Sequence, residues 1–231
     1  MEYPGYGIFK DEKADCETLQ TNAQLVFDFV VQHLGFDPKD VILFGRSMGS
    51  GPACHLASTM KPAALILLSP YTSLKDAVKT LVGKLPALLV RDRFKNSEAI
   101  SKVLSPTLIV HGQSDQLIPY SHSQALHELC GGPSKLIMPR KMTHNEFDMQ
   151  RDLFEPIKQF LVESNIVTSC VKGQPQRIKD KYFFPPRQVR ERGHRSDLKE
   201  LQAQNLMKKT KSTPSLVPQL MIKKSSINTE E

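Results

Sequence analysis

Cysteine is scarce in this 231-residue chain, and no two of its four cysteines form a C-x-x-C pair. Cys16, Cys54, Cys130 and Cys170 lie far apart, which excludes a compact disulfide scaffold and gives no zinc-ligand spacing. Long apolar runs are missing too. Stretches such as Ala63–Leu68 and Leu85–Val90 fall far short of the ~20 residues a helix needs to cross a bilayer. The opening Met1-Glu2-Tyr3-Pro4-Gly5 has neither the basic start nor the apolar core of a secretory signal. These absences predict a cytoplasmic protein with reduced thiols. What is present, 39% hydrophobic and 24% charged residues, is ordinary for a globular domain with an extension and excludes collagen-like and wholly disordered chains.

The net charge of +7 suggests an acidic partner until it is divided along the chain. Residues 165–231 hold 14 Lys and Arg against 6 Asp and Glu, whereas the remainder holds 17 against 18. The positive charge therefore belongs to the tail, and nothing in the body predicts nucleic-acid binding. Pro175, Pro185, Pro186, Pro214 and Pro218 interrupt a basic, Ser/Gln/Lys-rich stretch with few apolar residues in register. We read 1–163 as the folded domain and 164–231 as a basic, mostly disordered tail. Within it, Asp197–Lys209 carries Leu198, Leu201 and Leu206 and predicts a short amphipathic helix, marginal alone.

From Cys16 to Met149 helical patterns alternate with β-rich runs, the rhythm of a parallel α/β sheet. Strands are expected at Val41–Phe44, Ala64–Leu68, Thr107–Val110 and Lys135–Met138. Their continuous apolar character predicts cover on both faces. Leu19–Leu34, with Leu25, Val26, Phe29, Val30 and Leu34 in helical register, predicts a helix, as do Ser121–Cys130 and Phe147–Val162.

Directly after the first of these strands stands Gly45-Arg46-Ser47-Met48-Gly49, a G-x-S-x-G followed by the helix-compatible Ser50–Ala57. A strand, a sharp turn and a helix are the setting of a nucleophile elbow. The turn strains the serine and exposes it at a helix N-terminus, and the flanking glycines admit close backbone approach. There the backbone N–H of Met48 is the expected oxyanion donor. The motif alone is weak, since chance supplies it in roughly one chain of this length in ten. A capping serine in a tight turn reads the same way.

A serine hydroxyl needs a histidine to take its proton, and the histidine needs a carboxylate to fix its tautomer. The strand Thr107–Val110 runs into a loop carrying Asp115, and Lys135–Met138 into one carrying His144. The order Ser47, Asp115, His144 matches the α/β-hydrolase arrangement, not the chymotrypsin or subtilisin orders. Taken singly, Asp115 also reads as an Asx-turn residue and His144 as a helix N-terminal residue. The other histidines read as structural: His111 as a strand-end residue bonding backbone, His55 as helical, and His33, His122 and His127 as residues of surface helices. Asp148 and Glu146 read as capping residues.

Tyr3-Pro4-Gly5-Tyr6-Gly7, Gly45-Arg46-Ser47-Met48-Gly49-Ser50-Gly51-Pro52, Ser69-Pro70-Tyr71-Thr72-Ser73, Pro106–Gly112 with Asp115, and His144-Asn145 resemble the α/β-hydrolase domain 17 family over residues 3–162. Most of these motifs are shared with broader α/β-hydrolases, including dienelactone-hydrolase-like and prolyl-peptidase-like enzymes. The resemblance implies an α/β-hydrolase fold with a parallel sheet and flanking helices. It also implies a palmitoyl-protein thioesterase-like serine hydrolase using Ser47, Asp115 and His144, without metal or organic cofactor. Acyl esters or thioesters would be its substrates, among them S-palmitoyl cysteines of proteins. Relatives begin their sheet upstream of the Tyr-x-Gly-Tyr-Gly segment and carry a His-Gly oxyanion element there. With Met1 two residues before Tyr3, the expectation is an N-terminally truncated chain whose first strands, first oxyanion donor and lipidated cysteine cluster are missing. The alternative expectation is an impaired hydrolase acting as an interaction protein. The basic tail suggests peripheral attachment to an anionic membrane surface.

Overall fold

The computed structural model describes residues 3–11, 15–83 and 93–166, all within the first of two compact units, Met1–Lys179. The apolar run Leu85–Val90, the candidate helix Asp197–Lys209 and Cys170 lie outside the described residues.

Four strands, β1 (Ile42–Arg46), β2 (Ala64–Leu68), β3 (Thr107–Val110) and β4 (Ser134–Ile137), form one parallel sheet in the order β1-β2-β3-β4. The expected strands are the observed ones to within a residue at either end, except that β1 runs two residues further, to Arg46. The helices are α1 (Cys16–Asp28), α2 (Ser50–Met60), α3 (Leu74–Val82), α4 (Asn96–Ile100), α5 (Ser121–Leu129) and α6 (Glu155–Glu163). A π-helical turn, Met149–Phe154, leads into α6, so the last helical stretch starts two residues later than the periodicity predicts.

The central strands explain the unbroken apolar runs. Leu65, Leu67 and Ile109 point into a core with Ala53, Cys54 and Ala57 of α2, while Ile66, Leu68 and Leu108 point into a second core closed by Leu153 and Phe160. Alternate side chains thus enter different cores, and both must be apolar. Burial of five apolar side chains in β2 alone is worth on the order of 10 kcal/mol before the cost of ordering the chain.

Two expectations of cover need correction. Full cover on both faces holds for β2 and β3 only. β4 is half-buried throughout, and in β1 Phe44 is 50% exposed, because among the described residues β1 has a strand neighbour on one side alone. In α1 the buried face is Leu19, Ala23 and Phe27, while Leu25 and Val26 are exposed. Val26 and Val30 instead line an open apolar groove of about 290 Å³ beside Phe44. The apolar register of the Leu19–Leu34 stretch therefore serves two surfaces, and periodicity alone selected the uncovered one.

Local chemistry sets the helix starts. Asp15 caps α1 by accepting from the Glu17 and Thr18 amides. Ser73 caps α3, its hydroxyl accepting from the Asp76 N–H and donating to the Asp76 carboxylate.

Candidate active site

All strands of a parallel sheet end at one edge, and this brings together three loops distant in sequence. Ser47 follows β1, Asp115 lies in the loop after β3, and His144 lies in the loop after β4. His144 Nδ1 lies 2.7 Å from Asp115 Oδ2, and His144 Nε2 lies 3.1 Å from Ser47 Oγ. With Nδ1–H donating to the carboxylate, Nε2 is bare and accepts from the Ser47 hydroxyl. Asp115 and His144 are buried, and Ser47 is half-buried.

Ser47 has φ of +50°, the left-handed region, at a cost of about 1–2 kcal/mol for a residue with a Cβ. The single 3₁₀ turn Ser47–Gly49 then runs directly into α2. Gly45 is required for this: a Cβ there would stand 2.7 Å from both Ala53 Cβ and the Gly49 carbonyl. Gly49 is not under the same demand, since its Cβ would meet only Tyr3 Oη at 3.4 Å. The expectation of close approach at both motif glycines therefore holds at the first alone. Met48 is the second residue of the turn, where a backbone N–H has no partner within its own helix.

The turn is held from below by side chains that sequence reasoning did not weigh. Ser50 Oγ donates to the Ser47 carbonyl at 2.6 Å, and Asn96 Nδ2 donates to Ser50 Oγ and to the Tyr71 carbonyl. Tyr71 Oη donates to the Met48 carbonyl at 3.3 Å. Tyr71 was legible as part of Ser69-Pro70-Tyr71-Thr72-Ser73, whereas Asn96 had no signal beyond being a polar residue at the start of a short helix.

Asp115 satisfies both sequence readings at once. Its Oδ1 accepts from the Leu117 and Ile118 amides, each at 2.9 Å, as in an Asx turn, while Oδ2 faces His144 Nδ1 at 2.7 Å and the buried His111 Nε2 at 3.3 Å. Burial pulls its carboxyl up, but the Ile118 N–H and His144 outweigh burial and hold it below the ordinary carboxylate range. The group is therefore an anion at neutral pH, as a partner for an imidazolium must be.

His111 has the structural place expected of it. Fully buried, it donates from Nε2 to the Ile118 carbonyl at 2.8 Å and accepts at Nδ1 from the Ser123 hydroxyl at 2.6 Å. Burial pushes it below the usual imidazole value. His122 departs from expectation. It is buried, its Nδ1 2.9 Å from Thr72 Oγ1, because α5 lays its first turn against the loop after β2. Asp148 caps the π turn by accepting from the Arg151 N–H.

Such an arrangement can accept a proton from a hydroxyl, hold the resulting imidazolium beside an anion and offer a backbone N–H to a developing oxyanion. Among the described residues no group of three or more His, Cys, Asp or Glu is placed to hold a metal ion, and no helix is long and apolar enough to cross a membrane.

No family model matches the chain. It is 31% identical over 160 residues to human alpha/beta hydrolase domain-containing protein 17B, covering 69% of this chain and 54% of that protein. To mouse alpha/beta hydrolase domain-containing protein 17C it is 29% identical over 160 residues, with 69% and 49% covered. The chain thus spans about half the length of the curated relatives it matches. Among solved structures it is similar to Est1E from Butyrivibrio proteoclasticus with ferulic acid bound, with a TM-score of 0.60, 23% identity, and 72% of this chain and 76% of that one covered. It is also similar to an acetyl xylan esterase from Paenibacillus sp. R4, with a TM-score of 0.53, 15% identity, and 64% and 52% covered.

Proposed function

We propose that this chain, a member of the α/β-hydrolase family related to the domain 17 proteins, is a serine hydrolase that cleaves acyl esters or thioesters through Ser47. The observation that carries the reading is the unbroken hydrogen-bonded line from Asp115 through His144 to Ser47, assembled from three loops.

In this reading Ser47 Oγ attacks the acyl carbonyl carbon while His144 Nε2 takes the hydroxyl proton. The carbonyl π electrons move onto oxygen, and the Met48 N–H donates to that oxyanion. Collapse expels the thiolate or alkoxide, which leaves with the proton from His144, and Ser47 keeps the acyl group. A water then gives its proton to Nε2 and attacks the acyl-serine. The acid departs and the Ser47 hydroxyl is restored. Asp115, anionic throughout, fixes the tautomer and stabilises the imidazolium in both halves.

The finer reading is a thioesterase acting on S-palmitoyl cysteine of proteins. What supports it is the relationship to the domain 17 proteins, with the Pro70-Tyr71-Thr72-Ser73 segment after β2. A second reading, an interaction protein with an impaired site, is favoured by one observation: β1 is an edge in the described sheet, with Phe44 half exposed beside an apolar groove.

A fluorophosphonate probe on the purified chain separates them. The hydrolase reading expects covalent labelling that Ser47→Ala abolishes and Ser50→Ala largely keeps, whereas no labelling of a folded wild type selects the interaction protein. Comparing an S-palmitoyl peptide with a short-chain ester then tests the finer reading, which expects the larger kcat/KM for the long thioester.

A further inference from the structure

Arg46 is the residue between strand and nucleophile, the first x of the G-x-S-x-G, and its side chain crosses to the histidine loop. Its Nη2 donates to the backbone carbonyl of His144 at 2.7 Å and to Asn145 Oδ1 at 2.8 Å. Its guanidinium carbon lies 6.0 Å from the centre of the Phe147 ring. Three features of one loop, the carbonyl of His144, the side-chain oxygen of Asn145 and the ring of Phe147, thus converge on the side chain of the residue that precedes Ser47.

We propose that Arg46 is a positioning residue: it clamps the loop after β4 so that the His144 ring stays between Ser47 and Asp115. The inference rests on the reading of Ser47 as nucleophile and names a further residue for the same site. The backbone of residue 46 cannot move without moving Ser47, because the two share a peptide bond. Holding the carbonyl of residue 144 to the side chain of residue 46 therefore ties the general base to its nucleophile across 98 residues of chain.

The other tether of His144, to Asp115, acts on Nδ1 and fixes the ring's rotation. The loop is held upstream at Met142, which is buried and whose carbonyl accepts from the Ser114 N–H, and Arg46 adds a hold on the backbone at residue 144 itself. A guanidinium suits the task, since the two fixed N–H bonds of one nitrogen, Nη2, meet two acceptors while the cation stands over an aromatic ring. Arg46 is exposed, so its loss takes little from the fold. The consequence falls on geometry. A displacement of about 1 Å at a reacting group costs up to ~10²-fold in rate.

The test uses the full chain as wild type, Arg46→Met, Arg46→Lys and Asn145→Ala. Its readouts are steady-state hydrolysis of a p-nitrophenyl ester and the low-field proton resonance of the His144 Nδ1–H. Arg46→Met keeps length and ring contact but donates nothing. It is expected to lower kcat by ~10- to 100-fold with KM within ~2-fold, and to broaden or abolish the His144 resonance. Arg46→Lys, whose ammonium has N–H bonds for both acceptors but is shorter and lacks the planar group beside Phe147, is expected to recover part of both. Asn145→Ala, which leaves the carbonyl contact intact, is expected to lose several-fold in kcat and provides the test if Arg46→Met does not fold. A wild-type kcat in Arg46→Met with an unchanged resonance overturns the proposal. A rise in KM alone overturns it in favour of substrate binding by the cation. If the wild type is unreactive yet Arg46→Met loses the resonance, the nucleophile is rejected and the clamp stands.

Discussion

Asp115→Asn changes the chemistry of one atom and almost no volume, and its effect can be worked out from four distances. Asp115 Oδ1 accepts from the Leu117 and Ile118 amides at 2.9 Å, and an asparagine oxygen can keep both bonds. The amide nitrogen then occupies the place of Oδ2, 2.7 Å from His144 Nδ1. There it faces N–H with N–H unless the imidazole moves its proton to Nε2. A proton on Nε2, 3.1 Å from Ser47 Oγ, leaves the serine without a base. The imidazolium of the transition state also loses its anion. In a serine-histidine-aspartate site this is expected to cost ~10⁴-fold in kcat, or about 5.5 kcal/mol of transition-state stabilisation. The fold, with both backbone bonds kept, should lose about 1 kcal/mol. Ester hydrolysis measured beside urea unfolding reads the two effects separately. Activity within about 10-fold of wild type in an equally stable variant would refute the tautomer argument. Asp115→Ala, which also abandons the two amides, should match the loss of activity and add about 1–3 kcal/mol of destabilisation.

Three further outcomes are expected. Gly112→Ala would place a Cβ 2.0 Å from the Met142 carbonyl oxygen, two residues before His144, so it should lower stability by about 3 kcal/mol and reduce ester hydrolysis with it. An unfolding midpoint within error of wild type would contradict that contact. Burial depresses the pKa of His111 and His122, so the unfolded chain binds protons below about pH 6.5 that the folded chain refuses. Stability should therefore be complete above that pH and fall as the pH drops toward 5. His111→Gln should have a shallower slope, and an unaltered slope would remove His111 from the account. Finally, anionic liposomes should sediment the full chain at low salt and release it near physiological salt, while a chain with its fourteen basic tail residues changed to Gln stays in solution. Equal sedimentation of both would leave the tail without a membrane role.

The parts of the site readable in sequence are those whose chemistry coincides with a break in hydrophobic pattern. Ser47, Asp115 and His144 each stand just past an apolar run, so finding the strands also located the loops. The close packing at Gly45 was legible for the same reason, since a turn this tight leaves no room for a Cβ. What escaped were contacts that depend on which loops share an edge. Arg46 and Asn145 are 99 positions apart, and Asn96 meets Ser50 and Tyr71 from a separate helix. No local pattern marks such partners. The exposure of Leu25 and Val26 escaped for a related reason: hydrophobic periodicity reports which face of an element is apolar, and the neighbours decide whether it is covered.

The most direct test of the central claim is to trap the covalent intermediate. The full chain is mixed with an activated long-chain acyl thioester, quenched in acid within its first turnovers, and digested for peptide mass mapping. The mechanism predicts one acyl group per chain, on the peptide containing Ser47 and on that serine, with none in Ser47→Ala. An acyl group on Cys16 or Ser50 instead, or turnover that persists undiminished in Ser47→Ala, would contradict it.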